Sequence, residues 1–204
     1  IRHKNNGLIK VVTGMRRVGK SFLLFNLFYD YLISIGIEKS HIIKYALDDR
    51  RNKELRNPDR LLNAIDDEIK DEEMYYILLD EIQMVDEFED VLNSLLHIKN
   101  VDTYVTGSNS KFLSKDLITE FRGRSDEIRV YPLTFREFTT VFEGDVNDAW
   151  NQYYTYGGLP LTLNFTKHEE KSNYLVKQFE KVYISDIVDR NNIRNVSELE
   201  ELVN

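Results

Sequence analysis

The chain has 204 residues, a formal net charge of −8 and no cysteine, so it contains neither a disulfide nor a thiolate metal site. Its 42% hydrophobic and 30% charged residues are typical of a soluble globular protein, and the acidic balance argues against a surface that binds nucleic acid over its whole extent. No run approaches the roughly eighteen apolar residues of a membrane-spanning helix, so we expect a cytoplasmic protein without membrane contact.

The first predicted strand, residues 8–12, leads directly into a phosphate-binding loop. Residues 14–21 read Gly-Met-Arg-Arg-Val-Gly-Lys-Ser and fit the pattern G-x-x-x-x-G-K-[ST] at every fixed position. A chance match is the alternative, but a strand precedes the loop and an amphipathic helix follows it. The predicted nucleotide-binding residues are Gly14, Met15, Arg16, Arg17, Val18, Gly19, Lys20, Ser21 and Phe22.

Four of these residues have distinct predicted tasks. Gly14 lets the chain leave the strand through conformations that other residues avoid, and Gly19 keeps a side chain out of the space that phosphates need. Lys20 supplies a mobile positive charge for binding and catalysis. Ser21 offers its hydroxyl to a Mg²⁺ ion that bridges the phosphates.

Two further strands are predicted at residues 41–47 and 75–79, with an amphipathic helix that opens at Asn57 between them. The later strand is a continuous apolar run, as expected of a parallel strand buried on both faces, and it ends in Asp80 and Glu81. We expect Asp80 to hold Mg²⁺, through water, and Glu81 to orient the water that attacks the γ-phosphate. For an Asp-Glu pair taken alone, a solvated turn or a helix cap is the alternative.

A fourth strand is predicted at residues 103–106, followed by Gly-Ser-Asn-Ser. A polar residue after such a strand often contacts the γ-phosphate or the attacking water in P-loop ATPases that have an extra strand between the loop strand and the Asp-Glu strand. Asn109 is the first candidate for this sensor and Ser108 the second, and a helix cap is the alternative for both.

Two arginines precede the fifth predicted strand, residues 127–131. Either Arg124 or Arg122 could act as an arginine finger, in the same chain or across a subunit interface, because a planar guanidinium suits the charge that builds on phosphoryl oxygens. Arginines beside glycine are also common in surface loops. We take Arg124 as the candidate, with Arg122 left open.

Together, these motifs and later ones resemble a group of predicted prokaryotic ATPases of the AAA superfamily. The similarity covers most of the chain, and the order of the motifs is specific. The segments that carry it are residues 12–21, 77–83, 105–110, 122–124, Pro-Leu-Thr-Phe-Arg-Glu-Phe at 132–138 and Tyr-Gly-Gly-Leu-Pro at 156–160.

The resemblance implies an α/β fold of three layers, a P-loop NTPase of the AAA/ASCE type with a five-stranded parallel sheet in the order 5-1-4-3-2. It implies an ATPase core, here residues 1–132, and a helical region, residues 133–204, that leads into a C-terminal domain with a winged-helix-like part. We expect that last domain to be truncated in this chain. The family's Walker lysine, Mg²⁺ residues and catalytic glutamate map to Lys20, to Ser21 with Asp80, and to Glu81.

Three functions fit these residues. The leading hypothesis is hydrolysis of ATP with Mg²⁺, coupled to a conformational change of a partner or of the further domain; no guanine-reading Asn-Lys-x-Asp occurs, which favours ATP. A nucleotide-dependent binding switch with little turnover, associated with DNA or defence, is the alternative. A small-molecule kinase is the third, but no acceptor pocket is marked. The expected partners are ATP, further copies of the chain or another protein, and DNA through the further domain.

Overall fold

The computed structural model of the chain describes residues 3–107, 123–180 and 188. They form two compact units. The first contains the residues up to Thr13 together with Lys20–Arg129, and the second contains Gly14–Gly19 together with the residues from Val130 onward. The expected division of the chain into residues 1–132 and 133–204 stays a prediction.

A five-stranded parallel sheet is the centre of the first unit. Its spatial order is β2-β3-β4-β1-β5, and every pairing of neighbours is parallel. The order 5-1-4-3-2 is therefore confirmed. The strands are β1 Ile9–Thr13, β2 Ile42–Ala46, β3 Tyr75–Asp80, β4 Val101–Thr106 and β5 Ser125–Arg129.

The fifth strand lies two residues earlier than its apolar residues predict. Ile9 of β1 pairs with Ser125, and Thr13 pairs with Arg129. β5 is an edge strand that is only partly buried, so polar residues are accepted in it and apolar runs do not mark its bounds.

The helical elements of the first unit cover the sheet. The longest helix among the described residues of this unit begins at Pro58, where the Asn57 side chain accepts a hydrogen bond from the Arg60 backbone N–H, 3.1 Å away, and so caps a free helix end. The elements are α1 Lys20–Phe22, a π-helical segment Leu23–Phe28, α2 Tyr29–Ser34, α3 Pro58–Glu68 and α4 Phe88–Leu95, with 3₁₀ turns at Lys39–His41, Arg50–Arg56 and Ile82–Met84.

The two faces of the sheet bury two separate apolar clusters. Because side chains alternate along a strand, Ile77 and Leu79 face one cluster while Tyr76 and Leu78 face the other. The first cluster includes Leu61, Ile65, Val91, Leu92 and Leu95 from α3 and α4, and the second includes Leu24 and Leu32 from the helical segments after β1. The sheet is thus the middle of three layers, as expected.

A buried ion pair crosses from β1 to β4 on the second face. The Lys10 ammonium contacts the Asp102 carboxylate, and both side chains are almost fully buried. The carboxylate also accepts hydrogen bonds from the Tyr104 hydroxyl and from the Asn5 backbone N–H, each at 3.0 Å. Burial, with the charge of Asp102 beside it, raises the pKa of the Tyr104 hydroxyl far above its ordinary value.

The second unit contains three helices among its described residues: α5 Phe135–Val141, α6 Val146–Tyr156 and α7 His168–Gln178. Thr134 and Glu137 form a reciprocal capping box at the start of α5. Between α6 and α7 a 3₁₀ helix spans Pro160–Asn164.

Within the ranges that the structure describes, no helix combines the length and the apolar character needed to cross a membrane.

We expect Asp102→Ala to lower the free energy of unfolding by about 3–5 kcal/mol, because it leaves the Lys10 ammonium buried without its partner. Replacing both residues by apolar ones, Lys10→Met with Asp102→Leu, should cost much less because no charge then stays buried. Urea denaturation followed by circular dichroism measures both. The control is Glu54→Ala, which removes the exposed partner of Arg60 and should cost about 0–1 kcal/mol. A loss for Asp102→Ala as small as that of the control would contradict the structural role.

Candidate functional site

A carboxylate and two hydroxyls meet at the carboxyl end of β3. Asp80 is the last residue of the strand and is 5% exposed. Its Oδ1 accepts a hydrogen bond from Ser21 Oγ, 2.9 Å away, and another from Thr106 Oγ1. The three side chains come from β3, from α1 and from the end of β4, so the fold joins residues that are far apart in the sequence.

The donor set of this cluster fits Mg²⁺. The ion prefers oxygen ligands and usually keeps several waters, binding through one or two protein groups together with substrate phosphates. Ser21 is exposed and Asp80 is close to it, as such an ion requires. Among the described residues no group of three or more His, Cys, Asp or Glu could hold a metal by itself, and the Ser21 and Asp80 pair does not depend on one.

Glu81 follows Asp80 in a left-handed backbone conformation, with φ 55° and ψ 49°. This conformation is uncommon for a residue other than glycine, so the surroundings must hold it. The Glu81 backbone N–H donates to Thr106 Oγ1 at 3.1 Å, and the side-chain Oε2 accepts a hydrogen bond from Gln83 Nε2. Both the backbone and the carboxylate of Glu81 are therefore fixed by neighbouring side chains.

Sequence reasoning missed Thr106 and Gln83. Thr106 is fully buried, and its hydroxyl connects Asp80 to the backbone of Glu81. The available signal was a hydroxyl residue at the carboxyl end of a strand beside the Asp-Glu strand. Gln83 gave no signal, because its contact with Glu81 depends on the tight 3₁₀ turn after the strand.

The phosphate-loop residues of the second unit, Gly14–Gly19, require glycine at both ends. Gly14 has φ 144°, and a Cβ on it would overlap the carbonyl oxygen of Val130. Gly19 has φ 100°, which L side chains rarely adopt. Between them Arg17 has φ 66° and an exposed side chain, while Val18 is buried.

The chain passes from Gly19 straight into α1, where the remaining predicted binding residues lie. Lys20, the first residue of α1, is 7% exposed, whereas Phe22 is 59% exposed. In the loop, Arg16 is exposed and Met15 is half-buried. The structure thus brings Ser21 together with Asp80, and the roles of the other loop residues stay predictions.

Arg124 does not lie with Asp80. It directly precedes β5, and its carbonyl accepts a hydrogen bond from the Ile9 N–H at the amino end of β1. Its guanidinium contacts Asn93 Oδ1 at 3.3 Å. Because the strands are parallel, this is the edge of the sheet opposite to Asp80, so Arg124 is not placed to act as a finger in its own chain. A role across a subunit interface stays a prediction.

The two candidates for the sensor, Ser108 and Asn109, and the second candidate for the arginine finger, Arg122, lie outside the described residues. Arg129 is the arginine that ends β5, opposite Thr13 at the carboxyl edge. Thr13 Oγ1, at the end of β1, donates a hydrogen bond to Glu127 Oε1 of β5 at 2.6 Å.

Comparison with known proteins decides the family. Residues 6–139 match the model of a family described as an AAA domain. The chain belongs to this family. It is therefore a P-loop ATPase domain of the AAA superfamily, and the expected resemblance is confirmed.

Two curated relatives match nearly the whole chain. An uncharacterized protein of Haemophilus influenzae is 31% identical over 209 residues, which cover 100% of this chain and 52% of the relative. An uncharacterized protein of Methanocaldococcus jannaschii is 30% identical over 212 residues, which cover 96% of this chain and 45% of the relative. The chain thus spans about half the length of these relatives.

Solved structures of AAA proteins are more distant. Caenorhabditis elegans PCH-2 matches with a TM-score of 0.47 and 16% identity, over 66% of this chain and 37% of that one. Saccharomyces cerevisiae Hsp104, in a complex with casein, matches with a TM-score of 0.48 and 14% identity, over 74% of this chain and 28% of that one.

The role of Thr106 is tested by Thr106→Val, which keeps the shape of the side chain and removes its hydroxyl. We expect the free energy of unfolding to fall by about 1–3 kcal/mol, because the Glu81 N–H loses its acceptor and Asp80 loses a donor. Chemical denaturation without nucleotide measures the change. Thr103→Val on the other face of β4 is the matched control, and an equal loss in both variants would contradict the specific role of Thr106.

Proposed function

We propose that the chain binds ATP with Mg²⁺ and hydrolyses the nucleotide to ADP and inorganic phosphate. The observation that supports this most is the hydrogen bond from Ser21 Oγ to Asp80 Oδ1. It joins the end of the phosphate-loop sequence to the acidic end of β3, which is the pair of groups that a phosphate-bound magnesium ion needs.

Each predicted residue has a task in this proposal. Backbone N–H groups of Gly14–Gly19 and the ammonium of Lys20 bind phosphate oxygens. Ser21 and Asp80 hold the Mg²⁺ ion, which neutralises charge on the phosphates when bound. Asn109 or Ser108 would contact the γ-phosphate or the water, and an arginine such as Arg124 would act from a neighbouring copy.

Glu81 is the proposed group that positions the attacking water. Its carboxylate accepts a hydrogen bond from that water, which attacks the γ-phosphorus while the bond to the β–γ bridging oxygen breaks. The hydrogen bond that the Glu81 N–H donates to Thr106 and the one that its carboxylate accepts from Gln83 hold Glu81 in one orientation, so less of its conformational freedom is lost during the reaction. Positioning is the main contribution that a protein makes to phosphoryl transfer.

Hydrolysis would be coupled to a change in the helical region, or in a partner or further domain. The loop residues Gly14–Gly19 belong to one compact unit with the described residues from Val130 onward, which supports this coupling. A second copy of the chain, another protein, or DNA bound through the additional length that the relatives possess would receive the change.

Glu81→Gln should lower the rate of ATP turnover at least about a hundredfold and leave ATP affinity unchanged, because it removes the water-positioning carboxylate but keeps the shape of the side chain. Phosphate release under saturating ATP measures the rate. Glu87→Gln is a matched control, since Glu87 has the same left-handed backbone, with φ 48°, and lies after the 3₁₀ turn. Equal turnover in wild type and Glu81→Gln would contradict the proposed role. ATP binding by the wild type with negligible turnover would instead support the switch.

Lys20→Ala should abolish stabilisation by ATP. Wild type should unfold at a higher temperature with ATP and Mg²⁺ than without, because a ligand that binds only the folded state stabilises it. The variant loses the cation that contacts the phosphates and should show no such shift. Lys39→Ala, in a 3₁₀ turn outside the loop, is the control and should keep the shift. An undiminished shift in Lys20→Ala would contradict nucleotide binding by this loop.

A further inference from the structure

Tyr174 on α7 carries a hydroxyl that the described residues leave unpaired. The hydroxyl oxygen is buried and has no hydrogen-bond partner among the described residues. The ring packs against Phe165, with ring centroids 5.4 Å apart. A buried polar group without a partner is destabilising, so such a group in a folded protein needs an explanation.

The position of Tyr174 within the second unit gives that explanation. A Cβ placed on Gly19 would lie 3.9 Å from Pro160 Cγ, so the end of the phosphate loop lies beside the first residue of the 3₁₀ helix Pro160–Asn164. This helix leads directly to Phe165, whose ring contacts Tyr174. The segment 160–165 therefore connects the neighbourhood of the loop to the Tyr174 ring.

Arg17 of the loop acts on the same hydroxyl. Burial raises the pKa of Tyr174 above its ordinary value, and the positive charge of Arg17 opposes the rise. Arg17 also holds a left-handed backbone conformation, φ 66°, which glycine would adopt with less strain. An arginine at this position is best explained by a use for its side chain.

Arg17 and Tyr174 share one requirement, which is a hydrogen-bond acceptor. A guanidinium has five N–H donors and no acceptor, and the phenol O–H is a donor for which the described residues provide no acceptor. One group that satisfies both is an oxygen anion, and the anion that this loop sequence binds is phosphate.

We propose that the Tyr174 hydroxyl is a phosphate-binding group, which donates a hydrogen bond to a phosphate oxygen of the bound nucleotide beside the guanidinium of Arg17. The proposal rests on the proposed function, because it takes the loop as a nucleotide site. It adds a nucleotide contact from α7, about 150 residues after the loop in the sequence. Through this contact, helix α7 senses whether a nucleotide occupies the loop.

Tyr174→Phe tests the proposal, because it removes the hydroxyl and keeps the ring. Calorimetry on the whole chain measures the affinity for ADP and for a non-hydrolysable ATP analogue, each with Mg²⁺. We expect the affinity for at least one of the two nucleotides to fall about tenfold, because that is the loss expected for one hydrogen bond to a charged group. A loss for the triphosphate alone assigns the contact to the γ-phosphate, and a loss for both assigns it to an inner phosphate. The nucleotide-free variant should unfold at the same temperature as wild type or a higher one, because an unpaired buried hydroxyl has been removed.

Tyr153→Phe is the matched control. The Tyr153 hydroxyl donates to the Leu133 carbonyl at 2.9 Å, so its removal should lower the unfolding temperature and leave nucleotide affinity unchanged. Tyr174→Phe should give the opposite pattern. Affinities within about twofold of wild type for both nucleotides in Tyr174→Phe would overturn the proposal.

Two further variants separate the possible failures. If Arg17 and Tyr174 bind one phosphate, Arg17→Gln with Tyr174→Phe should weaken binding by less than the product of the single losses. Losses that multiply would overturn the shared contact. Lys20→Ala is measured in parallel. Normal nucleotide binding by this variant would refute the nucleotide site itself. If Lys20→Ala loses nucleotide binding while Tyr174→Phe binds as tightly as wild type, only the contact from α7 is refuted.

Discussion

The carboxylate of Asp80 connects the elements on which the candidate site depends. It accepts hydrogen bonds from Ser21 at the start of α1 and from Thr106 at the end of β4. These bonds can form only if β4 lies beside β3 in parallel, so that both carboxyl ends reach the same edge, and if the chain after β1 returns over that edge. The strand order is thus a condition of the site, because any order that separated β3 from β4 would remove Thr106 from Asp80.

One face of the sheet combines two polar networks with apolar packing between them. Lys10 and Asp102 lie toward the amino ends of their strands, whereas Asp80 and Thr106 lie at the carboxyl ends. Tyr104 and its apolar neighbours fill the space between. The ion pair is buried away from the site, so it contributes to the specific pairing of β1 with β4. Because of that pairing, the strand that precedes the loop lies next to the strand that ends in Thr106. The network at the other end keeps an exposed hydroxyl, that of Ser21, which a ligand can reach.

The sequence allowed the position of Asp80 to be predicted, because it follows from a pattern that is local to one segment, whereas the sheet order was expected from the resemblance to ATPases of the AAA superfamily. An apolar run that ends in Asp-Glu marks a buried parallel strand and its carboxyl end. Thr106 and Gln83 could not be predicted in the same way, because their hydrogen bonds depend on the register of neighbouring strands and on the left-handed backbone of Glu81. Arg124 shows a different limit: its residue type suits phosphate, but the register of β5 places it at the edge opposite to Asp80 of its own chain, and its role across a subunit interface stays a prediction.

The loop shows why the unit to which a residue belongs cannot be inferred from its sequence neighbours. Gly14–Gly19 is covalently bonded at each end to residues of the sheet unit, yet it belongs to the other unit, where it lies beside Val130 and Pro160. Gly14 has no space for a side chain beside the Val130 carbonyl, so the loop backbone lies close against that residue. Under the proposed function, a ligand that reshapes the loop would meet two neighbouring segments of the helical unit, at Val130 and at Pro160. The proposed coupling would therefore need no long-range pathway, because both segments lie beside the loop.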